Sequence, residues 1–232
     1  MKIMSFNTQH CLNFIERKID FNVMAKAIND CGADIVGLNE MRGDGPDGEY
    51  TDQVKALSEL TGMRYYCFAP AIYVKNKGPY GNGFLSKIPI ESTENIIIPD
   101  PTVKNGKMYY ETRCVLKATL KGDVTVLVTH FGLNPDEQEN AVKTVTEGLT
   151  DVKCILMGDF NLPPESALLH PIRGRMTDTA TVFKNELLSF PSDKPSVKID
   201  YIFVSPDIKI QSADIPPIVA SDHRPHTATV EL

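Results

Sequence analysis

Ile155-Leu156-Met157-Gly158-Asp159-Phe160-Asn161 is an apolar run that stops abruptly in Gly-Asp-Phe-Asn. Lys153 to Met157 is short, almost wholly apolar and bounded by Gly158, the pattern of a strand buried on both faces. Strand side chains alternate in direction, so Asp159 and Asn161 point the same way if the extended backbone continues through them. The carboxylate is an acceptor and a candidate base, and the amide can donate to an anionic oxygen. Taken alone, the segment is a turn after a strand, for which Asp and Asn are ordinary residues. Other strand ends in the chain carry polar groups of the same kind, and that changes the reading.

Working outward, Lys2 to Phe6 reads as a first strand with Asn7 at its end. Phe21, Met24, Ile28 and Cys31 share one helical face, and Gly32 is placed to end that helix at C′. Asp34 to Leu38 is a second buried strand, closed by Asn39-Glu40. The loop from Met41 to Tyr50 is rich in glycine and acidic through Asp44, Asp47 and Glu49. A second helix turns Val54, Leu57 and Leu60 inward and ends near Gly62. Tyr65 to Ala69, Gly83 to Ser86, Ile90 to Ile98 and Thr112 to Leu120 read as strands, and Val124 to Thr129 as a buried one ended by His130. Asn134-Pro135-Asp136-Glu137 starts a helix, with Asn134 as N-cap, Pro135 at N1 and Glu137 at N3. Beyond Asn161 the chain reads as irregular to about Pro195, with a short helix at Pro164 to Leu169. Lys198 to Ser205, Asp207 to Ala213 and His226 to Leu232 are the closing strands. Strands outnumber helices, and helices separate only some of them. That pattern predicts an α/β protein of two mixed sheets packed face to face with helices outside, rather than a doubly wound parallel sheet.

Lysines and arginines number 24 against 30 acidic residues, a net charge of −6 over 232 residues. A protein held to nucleic acid chiefly by a basic surface has the opposite balance. No Pro/Gly/Ser-rich linker divides the chain, so a single domain over residues 1–232 is expected. The five cysteines, Cys11, Cys31, Cys67, Cys114 and Cys154, are odd in number and lack CxxC spacing. They read as reduced thiols rather than a disulfide framework or zinc site. The chain runs straight into a strand and holds no stretch able to span a bilayer, so a cytoplasmic protein is the expectation.

The polar strand ends are Asn7, Glu40, His130, Asp159 with Asn161, Asp200 in Ile199-Asp200-Tyr201, and the run Ser221-Asp222-His223-Arg224-Pro225. A hard cation such as Mg²⁺ takes oxygen ligands and needs only one or two carboxylates plus an amide. Glu40 and Asp222 offer the carboxylates and Asn7 the amide. His130 and His223 can contact a phosphoryl group, Asp200 can hold a histidine in one tautomer, and Asp159 can orient or deprotonate water. The set contains what metal-assisted phosphoester hydrolysis requires.

In the order Ser5-Phe6-Asn7, Leu38-Asn39-Glu40, Thr129-His130, Gly158-Asp159-Phe160-Asn161, Ile199-Asp200-Tyr201 and Ser221-Asp222-His223-Arg224-Pro225, the motifs resemble the endonuclease/exonuclease/phosphatase family. That family includes pancreatic deoxyribonuclease, apurinic endonucleases, inositol-polyphosphate 5-phosphatases, neutral sphingomyelinases and nocturnin-like deadenylases. The resemblance covers residues 3 to 232 and implies a deoxyribonuclease-like four-layer sandwich of two mixed sheets flanked by helices. It implies an Mg²⁺- or Mn²⁺-dependent phosphoesterase with Glu40 as central metal ligand and Asn7 and Asp222 near the metal. By the same resemblance Asp159 and Asn161 position water and phosphate, His223 binds the phosphoryl oxygen while paired with Asp200, and His130 contacts phosphate. Asn82, in Gly81-Asn82-Gly83, and Arg113 are the implied substrate-binding residues, with a structural ion pair at Arg113 the competing reading. Gln9 departs from the pattern, since some nucleases of the family carry an acidic residue there, which speaks against an apurinic type.

The acidic loop beside Glu40 and the lack of a basic run favour a small phosphoester substrate over duplex DNA. A nuclease acting on DNA or RNA is the alternative, and a catalytically silent member that binds a phospholigand or a protein is the alternative of another class. Oligomeric state is not legible. His10, His170 and His226 read as loop, surface or structural residues, and Tyr109 and Tyr110 as packing beside a strand. Lys75, Lys77, Lys104, Lys107, Arg173 and Arg175 read as solvated pairs.

Overall fold

In the computed structural model, which describes residues 1–46, 50–185 and 187–232, the β-strands divide into two sheets of six. The first comprises β1 (Lys2–Asn7), β2 (Ile35–Arg42), β3 (Tyr65–Val74), β4 (Gly78–Ser86), β11 (Lys209–Asp214) and β12 (His226–Glu231), in the order β11-β12-β1-β2-β4-β3. The second comprises β5 (Ile90–Ile97), β6 (Cys114–Leu120), β7 (Val124–His130), β8 (Cys154–Asp159), β9 (Thr177–Asp178) and β10 (Asp200–Val204), in the order β5-β6-β7-β8-β10-β9. Ile3, Ile35 and Phe84 from one sheet and Val126, Val128, Ile155 and Met157 from the other fill the space between them. Helices α1 (Phe21–Cys31) and α2 (Gln53–Thr61) cover the outer face of the first sheet with Met24, Ile28, Val54 and Leu57. Helices α3 (Pro135–Gly148) and α4 (His170–Arg173) cover the second with Ala141, Val145 and Ile172. The result is the four-layer arrangement that the motif resemblance implied.

Two strand pairs are parallel, β1 with β2 through α1, and β7 with β8 through α3. A parallel pair needs a crossover, and it brings two carboxyl ends side by side. The registers Asn7↔Asn39 and His130↔Asp159 therefore deliver polar residues from both sheets to one edge of the sandwich. Gly158 permits the second of these pairings. Its φ is +149°, and a Cβ there would fall 1.8 Å from the Thr129 carbonyl oxygen, so only glycine fits.

The helix boundaries follow from local chemistry. Asp20 accepts from the Asn22 and Val23 amides at the start of α1, and Gly32 ends it at φ 64°. At α3 the Glu137 carboxylate returns to the Asn134 amide at 3.2 Å. Several boundaries differ from expectation. Leu60 faces solvent at 45% exposure, because the stripe Val54, Leu57 and Ser58 already meets the sheet. The helix expected at Pro164 to Leu169 instead begins as a 3-10 turn at Ala167–Leu169 and continues as α4, with the Ser166 side chain capping the turn. Tyr109 stands 78% exposed and does not pack. All five cysteines are unpaired. Of the loop from Met41 to Tyr50, Asp47, Gly48 and Glu49 lie outside the described residues. Among the described residues no helix is long and apolar enough to cross a membrane.

Candidate active site

Glu40 reaches the site through a break in β2. Leu38 pairs with Gly83 and Met41 with Gly81, so Asn39 and Glu40 together oppose Asn82. This is a β-bulge, and Glu40 adopts a left-handed φ of 62° within it. The bulge sends Glu40 toward the sheet edge and Asn39 into the interior. Asn39 donates to Asn82 Oδ1 at 2.8 Å and to the Thr129 carbonyl at 2.9 Å, and accepts from the Asp159 amide at 3.0 Å. One buried side chain thus ties β2, β4, β7 and β8 together.

Asn82 lies behind Asn39. It is buried, its oxygen takes Asn39, and its nitrogen donates to the Cys114 carbonyl at 2.9 Å. Both ends of its side-chain amide are thus taken up by protein groups.

Asn7 donates from Nδ2 to Glu40 Oε1 at 3.0 Å and to Asp159 Oδ2 at 3.1 Å. Its Oδ1 accepts the Gln9 backbone amide at 3.0 Å. A backbone N–H can only donate, so this bond fixes the amide orientation and turns the oxygen away from Glu40. Asn7 thereby bridges the two carboxylates, Glu40 and Asp159.

Asp159 is 2% exposed. Its Oδ1 accepts the Asn161 amide at 2.9 Å, while Oδ2 lies 3.5 Å from both His130 Nε2 and His223 Nε2. The bond to Asn161 closes an Asx turn, and Asn161 sits at a left-handed φ of 48°. Extended geometry therefore ends at Asp159, and the two side chains converge through the turn rather than through strand alternation. Burial lifts the Asp159 carboxyl above the ordinary range, with the Asp200 charge adding to it. His223, Asn161 and Asn7 act in the opposite direction.

The histidines differ in charge. Arg113 Nη1 lies 2.9 Å from His130 Nδ1 and 2.9 Å from Glu111 Oε1. Guanidinium can only donate, so Nδ1 is the acceptor and Nε2 carries the proton. The approach of Asn161 Nδ2 to His130 Nε2, 3.2 Å, is then a contact between donors, and that amide's bond goes to the Phe131 carbonyl at 3.0 Å. Burial, Arg113 and His223 together keep His130 neutral. At His223, burial opposes the proton. The Asp200 and Asp159 charges, the 2.8 Å bond from Nδ1 to Asp200 Oδ2 and the Asp222 charge outweigh it and push the imidazole up to about 10.

Asp222 lies beside Glu40, half-buried, with Oδ1 accepting from Ser221 Oγ at 3.0 Å. Burial foremost and the Asp222 charge raise the Glu40 carboxyl, and Asn7, Arg113 and His223 offset only part of that. Two carboxylates in a partly desolvated corner, with oxygen donors only, fit a hard divalent cation. Asp159, Asp200 and His223 also bring ligand atoms within 4.8 Å of one another. Within that trio His223 Nδ1 bonds to Asp200 Oδ2 at 2.8 Å and His223 Nε2 lies 3.5 Å from Asp159 Oδ2. Among the expected residues the structure thus gathers Asn7, Glu40, His130, Asp159, Asn161, Asp200, Asp222 and His223 at one edge, with Arg113 in contact through His130. The sequence reading missed Asn39, whose only signal was its place between Leu38 and Glu40, and Ser189, whose hydroxyl accepts the Ile199 and Asp200 amides at 3.2 and 3.4 Å.

Residues 4–223 match the Endonuclease/Exonuclease/phosphatase family, and the chain belongs to it. Members of this family are hydrolases of phosphoesters and generally depend on a divalent metal. The chain is 25% identical to the uncharacterized Escherichia coli (strain K12) protein YbhP over 256 residues, covering 100% of this chain and 96% of YbhP. In structure it is similar to an endonuclease/exonuclease/phosphatase from Beutenbergia cavernae, with a TM-score of 0.78 at 20% identity over 100% of this chain and 71% of that one. A Bacteroides thetaiotaomicron mannosyl-6-phosphatase superposes with a TM-score of 0.77 at 16% identity over 100% of both chains. At these identities the two superpositions establish the fold.

Proposed function

We propose that this protein is a divalent-metal-dependent phosphoesterase acting on small phosphoesters, with Asp159 directing the attacking water. The observation that carries the reading is the surrounding of Asp159. It is a buried carboxylate held at one oxygen by the Asn161 amide and faced at the other by Asn7, His130 and His223. Raised above the ordinary carboxylate range, it is a stronger base than a solvated aspartate. Protonated His223 donates from Nε2 to a nonbridging oxygen, and Asp200 fixes its orientation. Neutral His130 donates from Nε2, with Arg113 fixing its tautomer, and Asn161 retains a second amide hydrogen for the phosphoryl group. Asn7 holds Glu40 and Asp159 in register. Glu40 and Asp222 would hold Mg²⁺ or Mn²⁺, which when bound neutralises phosphoryl charge and stabilises the leaving oxygen.

The net charge of −6 supports a small substrate over a long polyanion. The fold shared with a mannosyl-6-phosphatase is in keeping with this. Five free thiols fit a reducing, cytoplasmic setting. A nuclease is the second reading. It is favoured by the Arg42 guanidinium, which lies 5.1 Å from the Tyr50 ring and 4.5 Å from the Tyr80 ring two residues beyond Glu40.

The experiment is hydrolysis of a chromogenic phosphomonoester and the matching diester with Mg²⁺, Mn²⁺ or chelator. Metal-dependent cleavage of the monoester supports the small-substrate reading. Cleavage of the diester alone transfers support to the nuclease reading. Stoichiometric metal binding without cleavage of these or of natural phosphoesters would leave a silent binding protein.

A further inference from the structure

The Asp200 carboxylate is buried and makes a single hydrogen bond, from His223 Nδ1 to Oδ2 at 2.8 Å, while Oδ1 is enclosed with no partner. The rest of its placement has to come from its backbone. In the pairing of β8 with β10, Phe160 donates to the Ile199 carbonyl at 2.9 Å and Asp200 stands opposite Asp159. Bonded and open positions alternate in an antiparallel pair, so the Asp200 N–H and C=O point away from β8, toward the flank that β9 occupies. But β9 pairs only with Phe203 and Val204, and the chain then leaves as a 3-10 turn at Thr179–Val182. Two buried backbone groups of Asp200 therefore have no strand to meet them.

Side chains take the place of that strand. Ser189 Oγ accepts the Asp200 amide at 3.4 Å, and His226 Nδ1 lies 3.3 Å from the Asp200 carbonyl oxygen. A carbonyl can only accept, so Nδ1 carries the His226 proton. Nε2 then accepts from Thr179 Oγ1 at 3.1 Å, and the Phe183 ring closes another side with its centroid 5.4 Å away. Burial foremost keeps this imidazole neutral. His226 is the first residue of β12, three residues beyond His223. One short segment thus meets Asp200 twice, at the carboxylate with His223 and at the main chain with His226. A side chain that merely filled this space would leave the Asp200 carbonyl and the Thr179 hydroxyl unmet.

We propose that His226 is a positioning residue for the Asp200–His223 pair, its Nδ1–H anchoring the Asp200 main chain where the neighbouring strand ends. The consequence is a fixed place for the Asp200 carboxylate, and through it a fixed direction for His223 Nε2, the atom that faces Asp159 and the phosphoryl group. This rests on the catalytic reading of His223 given above. His226 is buried and touches no substrate, so its loss acts on kcat and leaves KM in place.

The test compares His226→Asn and His226→Gln with His223→Ala in the metal-loaded protein. The asparagine amide nitrogen falls close to the place of Nδ1 and keeps a donor for Asp200. The glutamine amide extends toward Thr179 instead and fills more of the space. His226→Gln is expected to lower kcat roughly tenfold to a hundredfold, the range for residues that orient a site group from behind, with KM within about twofold. His226→Asn restores most of kcat, whereas a packing role would favour the larger glutamine. The His223 Nδ1 proton, at low field in the wild type, shifts or broadens in His226→Gln and returns in His226→Asn. Turnover of His226→Gln equal to or above that of His226→Asn, with that resonance unmoved, would overturn the proposal. If neither variant folds, NMR of the wild-type protein carrying isotope-labelled histidine decides: the proposal requires the His226 proton on Nδ1, and a proton on Nε2 would overturn it. If His223→Ala keeps its turnover, the catalytic reading itself fails. If His223→Ala is inactive while His226→Gln is unaffected, only the positioning role fails.

Discussion

Glu40 and Asp159 carry charge where burial opposes it, and this sets their response to substitution and to metal. Each has a carboxyl raised in the folded state, so its ionised form weakens the fold above the ordinary carboxylate range. Glu40→Gln should melt higher than wild type in chelator, because the amide replaces a penalised carboxylate. Added Mn²⁺ should raise the wild-type midpoint and leave that of Glu40→Gln nearly still, by preferential binding to the folded state; differential scanning fluorimetry with and without metal checks both. The same groups shape the pH profile. Asp159 must lose its proton to act as base, so kcat should fall as pH drops through a value well above the ordinary Asp value of about 3.9, toward about 7. His223 must keep its proton to donate, so activity should hold up to about 10 and fall beyond it. Raised above its unfolded value, His223 adds stability that is complete below about pH 6.5 and lost as pH rises through about 10. Asp200→Asn removes its main counter-charge and should move the basic limb down, which initial-rate profiles would show.

At the scale of elements, the site depends on a bulge and a glycine. Asn39→Ala would leave the Asn82 amide oxygen, the Thr129 carbonyl and the Asp159 amide without their partner in the interior. Each unmet buried group costs roughly 1–3 kcal/mol, so urea denaturation should show a loss of at least about 2 kcal/mol. Gly158→Ala should be worse, because its Cβ would meet the Thr129 carbonyl at 1.8 Å, and folded yield is expected to collapse. These elements also show what sequence conveys and what it conceals. The apolar run ending in Gly158-Asp159 announced its strand, and the residues at the ends of β1, β2, β7, β8 and β10 announced an edge rich in polar groups. The contacts of Asn7 and Asn82 were not legible there. The direction of an amide depends on donors far along the chain, here Gln9 for one and Asn39 with Cys114 for the other. The bulge was hidden for the same reason, since it exists only in the pairing of β2 with β4. Leu60 was misplaced because a nine-residue helix needs only a narrow stripe, which its neighbours already supply.

For the whole molecule, the paired crossovers of two sheets create one edge at which the ends of β1, β2, β7, β8 and β10 meet the loop before β12, and net charge decides what can approach it. A chain of net charge −6 has no general attraction for a phosphate backbone. Turnover of a small phosphoester should therefore change little between 50 and 200 mM salt, whereas affinity resting on six to ten backbone contacts would fall by about 10³–10⁵ over that range. Asp159 is the group proposed to direct water, so the decisive measurement is the turnover of Asp159→Asn at matched metal occupancy, with bound Mn²⁺ quantified by calorimetry. Mn²⁺ binding is expected to stay close to wild type and turnover to fall on the order of 10²–10³, the usual consequence of losing such a group. Wild-type turnover in a fully metal-loaded Asp159→Asn protein would contradict it.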